Sequence, residues 1–167
     1  PGMRERGSGT IVNVTSIVGR IGAIAQAPYV AAKWAFEGIS EQLALEIAPF
    51  GVRVAIIEPG ITKSSIFGKN TDAKNDTGAY DAQYARMLQM YAAGFHHATD
   101  AVEVAEVIRH AIETEAPSLR YTVSWGSEIP ARRARMSDEA WVALGRIATL
   151  DEYIVAFREA LGLDMTI

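Results

Sequence analysis

The chain has 167 residues, 49% hydrophobic and 22% charged, a composition typical of one globular domain with a sizeable core. Its 20 acidic and 16 basic residues give a net charge of −4 with no basic block to neutralise a phosphate backbone, so we expect no nucleic-acid partner. The lack of cysteine excludes disulfides and thiolate metal sites and suits a reducing compartment, so a cytoplasmic location is expected. No apolar run approaches the roughly 18 residues of a membrane span, so no membrane association is expected.

The first residues, PGMRERGSG, have the pattern of a helix end that turns into a strand. Because Pro1 is not an initiator methionine, we expect that sequence upstream is missing. The run GTIVNVT (residues 9–15) is short and mostly apolar, which predicts a strand buried on both faces of a parallel sheet.

A long helix is predicted over residues 28–50, where apolar and site residues recur every three or four positions and Gly51 follows as a stop. The β-branched run VRVAIIEPG (residues 52–60) predicts a second strand closed by a Pro-Gly turn. A strand, a helix and a strand in this order form a βαβ unit with a right-handed crossover, so the predicted fold class is α/β.

The rest of the chain predicts one long loop, four helices and a third strand. Residues 61–80 are polar and without a period, which predicts a loop beside a strand end. Two of the helices begin with the spacing of a capping box, Asp100 with Glu103 and Thr149 with Glu152. The predicted boundaries are helices over residues 81–93, from 100 onwards, 137–148 and 149–160, and a strand over residues 120–126.

Three residues near the first strand suggest chemistry. Ser16 follows the strand, and in open α/β sheets ligands bind outside the carboxyl ends of the strands. Tyr29 and Lys33 are four residues apart and project from one helix face. A cation within about 4 to 6 Å of a phenol favours phenolate, so the phenol becomes a usable acid or base near neutral pH. Each feature alone is also common in proteins without such chemistry, as a packed aromatic beside a solvated cation or as a serine ending a strand.

Together, Ser16 and the motif Tyr29-x-x-x-Lys33, thirteen residues further on, resemble the short-chain dehydrogenase/reductase family. The segments GTIVNVTS, FGVRV and PG occur in the same order as in that family. The resemblance implies a Rossmann-like, doubly wound parallel sheet, of which this chain would form the C-terminal part, with about three strands and flanking helices. Residues 1–64 would form the catalytic core, residues 61–80 the substrate-binding loop, and residues 81–167 the C-terminal helices and last strand.

The resemblance also implies a nicotinamide-dependent oxidoreductase that interconverts a carbonyl and an alcohol, with NAD or NADP as cofactor and no metal. Tyr29 would be the acid or base, Lys33 would assist it and bind the nicotinamide ribose, and Ser16 would hold the substrate oxygen. Val18 would join Ser16 and Tyr29 in the substrate site. Besides Tyr29 and Lys33, the expected cofactor contacts follow the second strand: Pro59, Gly60, Ile61, Thr62 and Ser64, the last standing where many members have threonine.

The family places its glycine-rich phosphate loop, its NAD-or-NADP selecting residue and its catalytic asparagine before the serine, and only 15 residues precede Ser16 here. We therefore expect this polypeptide alone to bind cofactor weakly or not at all. Two alternatives stay open: a truncated, non-catalytic relative that acts as an interaction module, and an epimerase or dehydratase that shares the tyrosine and lysine. The PGIT turn argues against the second alternative.

Other features have simpler interpretations. The family's tyrosine-bearing helix packs against a second subunit, so a homodimer or homotetramer is expected. His96 and His97 are adjacent and cannot both face one metal ion with ordinary geometry. The segment ARRAR (residues 131–135) is interpreted as a solvated basic loop, and the polar loop is expected to order around cofactor and substrate, which would protect Lys69 and Lys74 from proteolysis. The tryptophans are interpreted as core or subunit contacts: Trp34, Trp125 and Trp141.

Overall fold

A computed structural model describes residues 1–66 and 77–167. Within these residues, three strands form one parallel sheet in the order β1 (Gly9–Val14), β2 (Val52–Pro59) and β3 (Arg120–Val123). The register places Gly9 opposite Val52 and Ile56 opposite Arg120. The predicted α/β class, with three parallel strands and flanking helices, is confirmed.

The helices surround this sheet. A 3₁₀ helix, Ile17–Gly19, follows β1, and another, Ala48–Phe50, extends the long helix as far as Gly51, whose φ of 66° ends it as predicted. The α-helices in the described residues are α1 (Gly2–Arg6), α2 (Ala27–Ile47), α3 (Asp81–His97), α4 (Ala101–Glu113), α5 (Ile129–Arg133), α6 (Asp138–Leu144) and α7 (Leu150–Leu161).

The sheet is covered by α2 on one face and by α4 on the other. Alternate residues of β2 point to opposite faces, and Ala55 and Ile57 pack with Ala111 of α4 and Val123 of β3 in one buried cluster. Ile56, which points the other way, is also fully buried. Strand β2 therefore needs the continuous apolar run that the sequence shows, because both of its faces lie inside the protein. Strand β1 was predicted to be buried on both faces, and this is wrong: it lies at the edge of the described sheet and its residues are half-buried or, at Val14, exposed.

A second buried cluster lies beyond the carboxyl ends of the strands. Its α7 members, Tyr153, Phe157 and Leu161, recur every four residues and form one apolar face of that helix. Leu163 and Met165 extend this face after the helix ends. Two residues of the short segment that follows Ser16 also belong to this cluster: Ile17 and Ile21.

Four of the predicted assignments are wrong. Strand β3 ends at Val123 instead of residue 126, because Ser124 and Gly126 have φ values of 75° and 87° and turn the backbone out of the strand. Residues 131–133 of the predicted basic loop belong to α5, whose first turn holds Pro130, a favoured position for proline. Helix α3 continues to His97 instead of residue 93, and α6 ends at Leu144 instead of residue 148.

Only one of the two predicted capping boxes forms. At α7 the Thr149 hydroxyl accepts from the backbone N–H of Glu152, whose carboxylate accepts from the backbone N–H of Thr149. At α4 the side chain of Asp100 makes no cap hydrogen bond. Its carboxylate pairs with the Lys63 ammonium at 3.0 Å, so an ion pair replaces the predicted cap.

Part of the predicted loop lies outside the described residues, and this part includes Lys69 and Lys74. The residues of that loop that are described, 61–66 and 77–80, form no helix. Across the described part of the chain, no helix is both long and apolar enough to cross a membrane.

Candidate active site

Ser16 joins the carboxyl ends of β1 and β2. It lies two residues after β1 in an extended backbone conformation, with φ −176° and ψ 159°, and caps the 3₁₀ helix. Its hydroxyl donates to the carbonyl oxygen of Pro59 at 3.3 Å and accepts from the backbone N–H of Val18 at the same distance. The hydroxyl is therefore held at the edge where ligands of open α/β sheets bind.

The segment of residues 16–21, here called the serine loop, packs tightly on α2. A Cβ atom at Gly19 would lie 2.7 Å from Cγ of Glu37 and 3.1 Å from the carbonyl oxygen of Lys33, so the close approach requires glycine. The indole N–H of Trp34 donates to the carbonyl oxygen of Ile21 at 3.1 Å. The loop that carries Ser16 is thus fixed directly against the helix that carries Tyr29 and Lys33.

Tyr29 and Lys33 occupy the first turns of α2. The Lys33 ammonium donates to the carbonyl oxygen of Val14, the last residue of β1, at 3.5 Å, and lies 5.7 Å from the centroid of the Tyr29 ring. Burial lowers the pKa of Lys33. An ammonium has three N–H donors, so one bond to Val14 leaves others for a ligand in the crevice. The structure therefore brings the predicted serine, tyrosine and lysine to one edge of the sheet.

Polar contacts between β1 and α2 set the rotation of that helix. The Asn13 side-chain amide donates to the Ser40 hydroxyl at 2.8 Å, and the Thr15 hydroxyl donates to the Glu37 carboxylate at 2.5 Å. Glu37 and Ser40 are buried, so these bonds act with little competition from water. Glu37 lies one helical turn after Lys33, so the bonds that hold Glu37 also keep the Lys33 face of α2 turned toward the end of β1.

A group of charges centred on two buried glutamates, Glu37 and Glu58, lies beneath the site. The Arg120 guanidinium at the start of β3 contacts Glu37 at 3.1 Å, Glu41 at 2.5 Å and Glu58 at 3.2 Å. Glu58, fully buried at the end of β2, also faces Arg20 of the serine loop at 3.6 Å. Burial, followed by the charge of Glu37, raises the pKa of Glu58. The sequence prediction missed this group, although a glutamate at the end of the apolar run VAIIE was a signal of a paired buried charge.

The turn after β2 is anchored to the end of β3. The backbone N–H of Gly60 donates to the carbonyl oxygen of Val123 at 2.8 Å, and that of Ile61 donates to the carbonyl oxygen of Trp125 at 3.0 Å. A Cβ atom at Gly60 would lie only 2.0 Å from the Trp125 oxygen. The Pro59-Gly60 turn therefore depends on glycine, and Pro59 is in direct contact with Ser16 through its carbonyl oxygen.

The next residues of the turn are held by side chains. The Thr62 and Ser124 hydroxyl oxygens are 2.8 Å apart, and the Thr99 hydroxyl donates to Ser124 at 2.8 Å. Ser64 lies in an exposed turn, where its hydroxyl accepts from the backbone N–H of Ile66. Of the five cofactor contacts predicted after β2, four, residues 59–62, are thus fixed at the sheet edge, whereas Ser64 bonds only locally among the described residues.

Val18, predicted to line the substrate site, and the aromatic pair Trp125 and His97 both make packing contacts in the structure. The Val18 side chain is half-buried and packs against the cluster formed by α7 and the serine loop. The Trp125 ring lies parallel to that of His97 with centroids 5.8 Å apart, while His96 meets His97 edge to face. No group of three or more His, Cys, Asp or Glu side chains suitable for a metal ion occurs among the residues the structure describes.

Comparison with known proteins agrees with this architecture. Residues 1–75 match the family described as short chain dehydrogenase. The oxidoreductase YusZ of Bacillus subtilis is 37% identical over 136 residues, which cover 77% of this chain and 48% of YusZ. The crystal structure of a short-chain dehydrogenase from Streptomyces avermitilis superimposes with a TM-score of 0.66 at 32% identity, over 88% of this chain and 56% of that one.

A third similar protein is the F189W form of actinorhodin polyketide ketoreductase, solved with NADPH. It matches with a TM-score of 0.52 and 27% identity over 73% of this chain and 48% of that one. Both the sequence and the fold place the chain in one family: it belongs to the short-chain dehydrogenases/reductases. The chain spans about half the length of these relatives.

Proposed function

We propose that the protein is an NAD(P)-dependent oxidoreductase that interconverts a carbonyl and an alcohol. The observation that carries this proposal is the position of the Lys33 ammonium, 3.5 Å from the last carbonyl of β1 and 5.7 Å from the Tyr29 ring. Ser16 lies two residues after that carbonyl, at the same sheet edge. An acid, a cation and a hydroxyl donor around one crevice are the groups that carbonyl reduction needs.

In the direction of reduction, Ser16 binds and orients the substrate oxygen. Its oxygen is held in place by the backbone N–H of Val18, and its single hydrogen turns from the Pro59 carbonyl, 3.3 Å away, to the substrate oxygen on binding. Tyr29 supplies a proton from its phenol to that oxygen, and the nearby Lys33 ammonium stabilises the phenolate that remains. In oxidation the same phenolate takes the proton back.

A nicotinamide dinucleotide supplies the hydride when it is bound. The donor set fits this group, because Lys33 has N–H donors to offer a ribose hydroxyl and its pKa, lowered by burial, reflects a partly dry site. The backbone of residues 59–62 lies at the sheet edge where it would contact the nicotinamide amide. Support for a dinucleotide also comes from the similar ketoreductase, whose structure contains NADPH.

The test is Tyr29→Phe in the protein at its natural length, with reduction of a panel of ketones followed through NADH and NADPH absorbance. General acid catalysis contributes about 10²- to 10⁴-fold, so we expect a loss of kcat of that size with the melting temperature unchanged. Tyr121→Phe is the matched control and should keep full activity, because Tyr121 of β3 packs on the face of the sheet covered by α4, opposite α2. A Tyr29→Phe variant that keeps more than about a tenth of the wild-type kcat contradicts the proposal.

We also propose that the protein forms a homodimer or homotetramer through α2. In support, large apolar side chains of α2 and of the 3₁₀ helix that continues it are exposed, including Trp34 at 51%, Ile39 at 64%, Leu45 at 69% and Phe50 at 45%. Exposed apolar patches of this kind mark association surfaces. Light scattering of wild type and Leu45→Glu at natural length tests this, and an unchanged mass for the variant contradicts it.

A further inference from the structure

Ser124 is the residue at which β3 stops. It has a φ of 75°, a left-handed conformation that serine rarely adopts, and it was not singled out by any sequence motif. Up to this point the pairing with β2 is parallel, since Pro59 lies opposite Val123. Directly after it, Ile61 and Trp125 pair in the antiparallel sense. The left-handed residue Ser124 therefore marks the point where the parallel ladder ends and a single antiparallel bridge follows it, beside the Pro59-Gly60 turn.

This change of pairing lets two carbonyl groups on either side of Ser124 bind the turn. The carbonyl of Val123 accepts from the backbone N–H of Gly60 at 2.8 Å, and the carbonyl of Trp125 accepts from that of Ile61 at 3.0 Å. In a regular ladder, the carbonyls of residues 123 and 125 would accept from N–H groups two residues apart, because successive N–H groups of an extended partner point in opposite directions. Bonds to two successive residues therefore need a break in the ladder, and the left-handed residue Ser124 lies at that break.

The Ser124 side chain anchors the next residue. Its hydroxyl is 2.8 Å from the hydroxyl of Thr62 and accepts the hydrogen of Thr99 at 2.8 Å. Each hydroxyl has one hydrogen. Because Thr99 directs its hydrogen to Ser124, Ser124 can direct its own to Thr62, and the hydrogen of Thr62 is then available to an acceptor in the crevice.

We propose that Ser124 is a positioning residue for the cofactor, holding the backbone of Gly60 and Ile61 and orienting the Thr62 hydroxyl toward the nicotinamide amide without touching it. This inference rests on the proposed function, since it assumes that residues 59–62 contact a nicotinamide dinucleotide. It goes further by assigning the orientation of this segment to a residue 62 positions later in the chain.

Two substitutions separate the backbone of Ser124 from its hydroxyl. Ser124→Gly removes the hydroxyl and relieves the left-handed backbone, whereas Ser124→Ala removes the hydroxyl and keeps a side chain at positive φ. We therefore expect Ser124→Gly to melt at a higher temperature than Ser124→Ala. Ser127→Ala is the matched control, because Ser127 lies in the same turn and its hydroxyl has no partner among the described residues.

Two measurements on the protein at its natural length decide the proposal. The first is the rate of amide hydrogen exchange at residues 60–63 without cofactor. Relative to wild type, we expect this rate to rise about three- to tenfold in both Ser124 variants and to stay the same in Ser127→Ala. The second is steady-state kinetics with NADH and NADPH, where KM for the preferred dinucleotide should rise by a similar factor. kcat should change less than about twofold, because Ser16, Tyr29 and Lys33 are untouched.

Each result supports the proposal or overturns it. Equal KM increases for Ser124→Gly and Ser124→Ala, despite their different melting temperatures, show that the dinucleotide responds to the hydroxyl and not to stability. Unchanged exchange at residues 60–63 overturns the anchoring role. Faster exchange with an unchanged KM overturns the role in cofactor binding. If wild type binds neither dinucleotide, the proposed function fails, and the positioning role fails with it.

Discussion

Among the described glycines, Gly60 is the one at which an added Cβ atom would make the shortest contact. A Cβ atom at this position would lie 2.0 Å from the carbonyl oxygen of Trp125, whereas real Cβ contacts essentially never fall below 3.0 Å. In Gly60→Ala the turn must therefore move by at least about 1 Å. That movement breaks the bonds from Gly60 to Val123 and from Ile61 to Trp125, which are 2.8 and 3.0 Å long.

The expected loss of stability follows from these contacts. Two backbone hydrogen bonds contribute about 1 kcal/mol each, and overpacking costs about 1 to 3 kcal/mol, so Gly60→Ala should lose roughly 3 kcal/mol, allowing for partial relaxation. A domain of this size loses about 2 to 4 °C for each kcal/mol, which gives a decrease in Tm of about 6 to 12 °C.

The assay is thermal unfolding followed by circular dichroism, with Gly2→Ala as the control. Gly2 is the first residue of α1, and a Cβ atom there would meet only the Arg6 guanidinium at 3.7 Å, an ordinary contact. Alanine is a better helix former than glycine, so this variant should lose no stability. A Gly60→Ala protein that melts within about 2 °C of wild type would refute the steric argument.

Three further outcomes are expected. Arg53 donates to Ile112 and other last carbonyls of α4, so Arg53→Met should lose about 2 kcal/mol, measured as a lower urea midpoint, and an unchanged midpoint argues against this cap. Burial raises the pKa of Glu58, so the stability linked to its bound proton is present below about pH 4.3 and is lost as pH rises through the folded-state value. We therefore expect the Tm of Glu58→Gln minus the Tm of wild type to be higher at pH 7 than at pH 4.5. The same Tm difference at both pH values would contradict this. Thr149→Ala removes the capping box of α7 and should lower Tm by about 2 to 4 °C, whereas a loss below about 1 °C means that the box adds little.

The sequence predicted the parts of the fold that local pattern determines. The apolar runs of β1 and β2 and the stop at Gly51 depend on neighbouring residues, and all three are found in the structure. The spacing of Tyr29 and Lys33 likewise placed both side chains on one helical turn, where the structure has them. Periodicity and spacing were sufficient here because each feature is decided within one element.

Features that depend on distant partners were not predictable in this way. Arg120 binds Glu37 from 83 positions along the chain, and neither residue alone indicates that the other will neutralise it. The left-handed backbone of Ser124 is supported by contacts with the end of β2, which is distant in sequence. From the sequence alone, a serine in a β-rich segment is predicted to be part of the strand. The basic composition of residues 131–135 predicted a solvated loop, whereas part of this segment belongs to α5. Its residue Arg133 pairs with Asp138 and lies over the Trp141 ring, and neither partner could be predicted from the basic segment alone.

The packing of the serine loop has a consequence for the order in which the protein can assemble. Ile17 and Ile21 share a buried cluster with Leu161 and Met165, so residues far apart in the sequence complete one core. Contacts of such large sequence separation slow folding, because the intervening chain must be ordered before they form. A nascent chain can build the βαβ unit early, yet the serine loop gains its packing against this cluster only after residue 165 has been synthesised. The segment beside Ser16 would then be among the last parts of the sheet edge to become ordered.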